Sequence, residues 1–112
     1  MDKKTIIDII GSFRSSLEKK GIRISKIMLF GSCAKGEQKN GSDIDLVVIS
    51  EDFADKSYWE RIDIISDAVY EVFQPIEASA LTNAEWLSGN YFVCEYARNG
   101  EIVYDADGKK AA

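Results

Sequence analysis

At 112 residues, with 46% hydrophobic and 29% charged side chains, the chain has room for one core and the makeup of an ordinary globular domain. A formal net charge of −5 argues against an extended nucleic-acid surface, and no apolar run approaches the roughly 18 residues that would span a membrane. The absence of histidine excludes His-based triads, His general bases and the usual His-containing zinc sites, so acid–base or metal chemistry falls to carboxylates, whose hard oxygens suit magnesium or manganese.

The opening "MDKKTIIDII" has no small-residue cleavage site and continues a helical pattern, so a cytoplasmic protein without a signal peptide is expected. Ile6, Ile9, Ile10, Phe13 and Leu17 recur at helical spacing and predict an amphipathic helix over about 3–20, stopped by Gly21. "SKIMLF" (Ser25 to Phe30) reads as a buried strand, and residues 31–42 as a polar connection with three glycines. "IDLVVIS" (Ile44 to Ser50) is apolar on both faces beyond Asp45, which predicts a central strand with helices covering the sheet.

"SYWE" (Ser57 to Glu60) is a capping-box pattern opening a second helix, which ends before Pro75. "IEASAL" (Ile76 to Leu81) predicts a third strand. "TNAE" (Thr82 to Glu85) opens a short helix, Tyr91 to Asn99 reads as helical, and "EIVYD" returns as a strand or extended end. The two cysteines, Cys33 and Cys94, form no metal pattern and are expected to be reduced. The expectation is one domain over 1–106 with a frayed tail over 107–112. Its class is α+β, a small mixed sheet flanked by helices.

The stretch "LFGSCAKGEQKNGSDIDLVV" (Leu29 to Val48) carries the chemistry. Asp43 and Asp45, one residue apart at a strand start, share a face. Two such carboxylates repel, and a divalent cation turns that cost into ligation. Gly31 lets the backbone approach a ligand closely, and Ser32 with free N–H groups at the following turn can hold phosphate oxygens. The ten-residue spacer lets the chain return so that both parts meet: one grips a triphosphate, the other holds the metal that bridges it. Gly-Ser alone and Asp-x-Asp alone are common structural features; the combination at this spacing, between two buried strands, is what points to a nucleotide–metal site.

This stretch resembles the Gly-Ser, ten-residue spacer, Asp-x-Asp signature of the DNA polymerase beta-like nucleotidyltransferases, and within them the minimal nucleotidyltransferase group. Gly31, Ser32, Ala34, Gly36, Ser42, Asp43, Ile44, Asp45 and Leu46 match, with Lys35 where Arg is usual and Cys33 at an often aromatic position. The resemblance implies a polymerase beta palm-like fold. It also implies NMP transfer from ATP or another NTP to a hydroxyl, with release of pyrophosphate and magnesium (or manganese) as cofactor. It places the metal on Asp43 and Asp45, with Glu77 matched to the third catalytic carboxylate, and the nucleotide contacts on Gly31, Ser32, Lys35 and Ser42. Lys35 and Lys39 stand within a polar loop where lysines are ordinarily solvated. Cys33 reads as a small packed thiol. Trp59, Trp86, Tyr58, Tyr91, Phe92 and Tyr96 read as core or interface and are left out of the site.

Larger members of that superfamily hold their acceptor with additional domains, and little of this chain is left to build one. The resemblance supplies one solution: such chains are paired with an all-helical HEPN protein in toxin–antitoxin modules, as the antitoxin. Two alternatives stand beside it. One is a nucleotide-binding module that neutralises a partner by occlusion without catalysis. The other is a small-molecule transferase whose acceptor site forms at a homodimer interface.

Overall fold

The first helix starts on a side-chain cap. The Asp2 carboxylate accepts from the Thr5 N–H at 2.8 Å, and α1 then runs Lys3–Lys19. Ile6, Ile9, Ile10, Phe13 and Leu17 form its buried stripe. Gly21, at φ +88°, turns the chain out of the helix. The computed structural model describes residues 2–35 and 43–108.

After α1 come β1 (Lys26–Phe30), α2 (Gly31–Lys35), β2 (Ile44–Ile49), a 3-10 turn (Glu51–Phe53), α3 (Tyr58–Val72), β3 (Ile76–Leu81), α4 (Asn83–Ser88), α5 (Phe92–Ala97) and β4 (Glu101–Asp105). They build one four-stranded sheet in the order β3-β2-β1-β4. β1 pairs antiparallel with β2 and β4, while β2 and β3 are parallel. A parallel pair needs a long crossover, and α3 supplies it. The predicted mixed sheet and the central position of β2 are therefore what the chain adopts.

Both expected capping boxes are present, Ser57 with Glu60 on α3 and Thr82 with Glu85 on α4. Phe73 ends α3 in the left-handed region, two residues before Pro75. Among the described residues no helix is long and apolar enough to cross a membrane.

The sheet buries both faces. On one, Ile27, Leu29, Ile44, Leu46, Val48 and Ile76 pack under α1 and α3. On the other, a smaller core joins Met28, Val47, Ile49 and Leu81 to Cys94 and Ala97 of α5. Alternation along β2 explains this: even-numbered residues face the first core and odd-numbered ones the second.

Two expectations change, at residues 31–35 and at the last helix. Residues 31–35 are a helical turn and not part of an open connection; Gly31 reverses the chain, and Cys33 buries its side chain in the core. Five residues are too few to display a helical period. The last helix is shorter, Phe92–Ala97, while "EIVYD" takes the strand reading, at the edge beside β1. Asp43 lies just before β2, which is an inner strand; the open edge beside it belongs to β3. The tail residues 109–112 lie outside the described residues.

Candidate functional site

β2 positions the central carboxylate. Its register sets Asp45 opposite Phe30 of β1 on one side and opposite Glu77 of β3 on the other. Registered partners on neighbouring strands point to the same face, so Asp45 and Glu77 stand side by side on the face of Val47 and Ile49. That face is covered by α4 and α5 only towards the far end of the strand. Asp45 is half-buried, while Asp43 and Glu77 are exposed. Burial, then the negative charges of Glu77 and Asp43, push the Asp45 carboxyl above its ordinary value, and Glu77 lies within hydrogen-bonding reach of it.

Gly31 completes this corner. Its φ is +74°, and a Cβ there would collide with the Asp45 carboxylate, lying 3.2 Å from its Cγ. A side chain at position 31 would fill the space in front of the carboxylate; glycine leaves it open. Gly31 thus serves two local needs at once, the left-handed turn out of β1 and clearance for Asp45.

Of the residues singled out in the sequence, Asp43, Asp45, Glu77 and Gly31 come together. Ser42 lies outside the described residues, as do Gly36, Lys39 and the side chains of Ser32 and Lys35. Cys33 is buried, its Sγ–H directed at the Asp43 carbonyl 3.5 Å away. Burial and the Asp45 and Asp43 charges push its thiol up, so it is a packing residue and not a nucleophile.

A magnesium ion wants oxygen donors with negative charge, and this corner offers them without competing histidine or free thiolate. The donor chemistry fits, and the repulsion that raises Asp45 is the one a cation would relieve. Among the described residues, however, no three acidic or sulfur side chains are gathered into a finished cation cage.

The corner opens into a cleft of about 1290 Å³ that runs along β3. This exceeds the roughly 300–1,000 Å³ of small-ligand pockets. Its walls hold aromatic side chains: Tyr58, Tyr91, Phe92 and Tyr96, left out of the site on sequence grounds, and Tyr70 of α3, not singled out there. Tyr58 is 68% exposed, Tyr70 80% and Phe92 77%, so these rings are not core. The signal was present: Tyr58 and Tyr70 fall off the apolar stripe of their helix. Lys56 and Arg61 line the far end. Arg61 is occupied, with Glu85 at 2.7 Å and the Ala80 carbonyl at 3.2 Å.

A family model described as "Nucleotidyltransferase domain" matches residues 10–85. The Methanocaldococcus jannaschii protein described as "Putative protein adenylyltransferase MJ1305" is 30% identical over 114 residues, spanning 96% of this chain and 77% of that protein. Among solved structures, a "putative nucleotidyltransferase" from Sulfolobus solfataricus superposes with a TM-score of 0.71 at 12% identity, over 95% of this chain and 86% of the other. A chain from a toxin–antitoxin crystal structure with AMP-PNP superposes at 0.59 and 20% identity, over 83% and 71% of the two chains. At these identities the structural likenesses speak to the fold, and the fold agrees.

Proposed function

The chain belongs to the nucleotidyltransferase domain family, and from that premise we propose that it transfers AMP from ATP, with magnesium, to a hydroxyl on a partner protein. The observation that carries this is Asp45, set between Glu77 and Asp43 and facing the space that Gly31 leaves open. The adenylyltransferase relative supports a protein acceptor, and the toxin–antitoxin likeness supports a dedicated partner. By its resemblance to the minimal group, we take this chain to be the antitoxin and the partner to be a helical HEPN-type toxin.

Asp43 and Asp45, with Glu77 on the acceptor side, would hold the divalent ion, which supplies charge neutralisation for the phosphates and for the attacking oxygen. The protein's own share is positioning. The turn at Gly31 and Ser32 brings backbone N–H groups to the phosphates, with Lys35 and Ser42 as further contacts from the same motif. Glu77, exposed on the edge strand, stands where the acceptor arrives. The acceptor oxygen forms a bond to the α-phosphorus, the bond from that phosphorus to the bridging oxygen breaks, and pyrophosphate leaves. The hydroxyl proton passes to a carboxylate of the site or to water. Holding these atoms in line and away from bulk water is most of the rate gain available to such a site.

The test is intact-mass spectrometry of the helical neighbour-encoded protein after incubation with this chain, ATP and magnesium. Addition of AMP to the partner, lost with Asp45→Asn, is the expected result. A tight, inhibitory complex without a mass shift, equally inhibitory with Asp45→Asn, would replace transfer by occlusion.

A further inference from the structure

The two edges of the sheet are finished differently. β4 begins and ends on charges, Glu101 and Asp105; Glu101 is tied to Lys3 at 2.7 Å, and its pairing with β1 is interrupted by a bulge. These are devices that blunt an edge against further pairing. β3 carries one charge, Glu77, and no bulge. It runs in unbroken register with β2 over Ile76–Leu81, with no lysine and no proline inside.

The hydrogen bonds fix which β3 groups face outward. The Ile44 N–H donates to the Pro75 carbonyl at 2.7 Å, and the Ser50 N–H to the Leu81 carbonyl at 3.0 Å. Odd-numbered residues of β3 therefore turn their backbone to β2, and Ile76, Ala78 and Ala80 turn theirs outward. The Ile76 N–H is taken by the Gln74 carbonyl, and the Ala80 carbonyl by Arg61. Among the described residues the Ala78 N–H and carbonyl have no partner. They lie within the cleft, between Val69 and Tyr70 of α3 and Phe92 and Tyr96 of α5. The floor is low because residues 78–80 are alanine, serine and alanine, all half-buried.

We propose that β3 is a docking strand for an extended segment of the acceptor protein, which pairs with the backbone at Ala78 and carries its hydroxyl side chain to Glu77 and Asp45. This rests on the protein-adenylylation reading above. Neighbouring strands lie about 4.8 Å apart, so an added strand runs roughly 10 Å from β2. A side chain on the Glu77 face then reaches across that single strand to the Asp45 corner. Charge sets the direction of the segment. The carboxylates Asp45 and Glu77 line one end of the cleft, while the cations of the other end, Lys56 and Arg61, are already held by Asp55 and Glu85. A basic residue flanking the hydroxyl complements the acidic end. Main-chain pairing supplies affinity and the alternate side chains supply choice.

The experiment uses synthetic peptides of about nine residues, the length of a long strand, with alternating small and apolar residues, one central tyrosine, serine or threonine, and one flanking lysine. They are incubated with the full chain, ATP and magnesium, and AMP transfer is read by mass. Transfer is expected, and N-methylation of successive peptide bonds should abolish it in a period-two pattern. Ala78→Pro removes an outward N–H and breaks no bond to β2, so it should raise the peptide KM about tenfold or more while ATP affinity stays at the wild-type value. Loss that ignores the period, Ala78→Pro turning over peptide like wild type, or no transfer to any peptide by a chain that binds ATP would each overturn strand docking. So would dimerisation of the wild-type chain that Ala78→Pro abolishes, since β3 would then serve a second copy. Absence of ATP binding in the wild-type chain would instead remove the nucleotidyl-transfer reading beneath it.

Discussion

The two faces of β2 agree along half the strand and part company at its start. Ile44, Leu46 and Val48 are fully buried under α1 and α3. On the opposite face Val47 and Ile49 are equally buried, but Asp45 is left half-open because α4 and α5 reach only the later half of the strand. One continuous face holds the fold together. The other is sacrificed at a corner, where a carboxylate can meet solvent and ligands. On the proposed reading, stability and chemistry sit on neighbouring residues of one strand and should respond to substitution separately.

The strongest way to break that separation is Asp45→Asn. AMP transfer should fall at least about a thousandfold, equivalent to ~4 kcal/mol of barrier, while circular dichroism stays native. A variant that unfolds, or one that keeps its turnover, would end the distinction between the faces. Next to it, Leu46→Ala points the opposite way and should cost about 3 kcal/mol of stability in denaturant titration. Its folded fraction should bind ATP as the wild type does. Gly31→Ala sits at the junction: the positive φ and the collision with Asp45 should cost about 2 kcal/mol and weaken ATP in calorimetry. Glu77→Gln, at an exposed position, should leave ATP affinity unchanged and slow transfer about tenfold. Wild-type turnover in that variant would make Glu77 a surface residue.

The smallest effect is on pH. Asp45 is held above its ordinary value in the folded state, so its contribution to stability is fully present in acid and is lost as pH rises through the raised folded value. Asp52 runs the other way: the Arg23 side-chain hydrogen bond lowers it to about 2, so its contribution is present above the ordinary carboxylate range and fades as pH falls towards about 2. In metal-free protein, Asp45→Asn should raise the melting temperature near neutrality and leave it unchanged in acid. Added magnesium should narrow that difference by stabilising the wild type alone. A pH-independent difference would mean that the carboxylate is not under charge strain.

Local signals in the sequence determined most of the elements. The stripe from Ile6 to Leu17, the apolar runs that became β1 and β2, the weaker β3, and the caps at Ser57 and Thr82 are each readable within a few residues, because helix period, strand alternation and capping are short-range. The Asp-x-Asp pair stood out for the same reason, as two carboxylates one residue apart at a strand start. What paired with what was decided by tertiary structure. No local pattern says that β3 joins β2 in parallel and lies at an edge, that Glu77 falls into register with Asp45, or that position 31 must clear that carboxylate. Nor does one say that Tyr70 and Phe92 flank the edge strand on its two sides. Those relations join residues far apart in the chain, and they follow only when burial of two faces at once selects a single sheet order. The site is composed at that step.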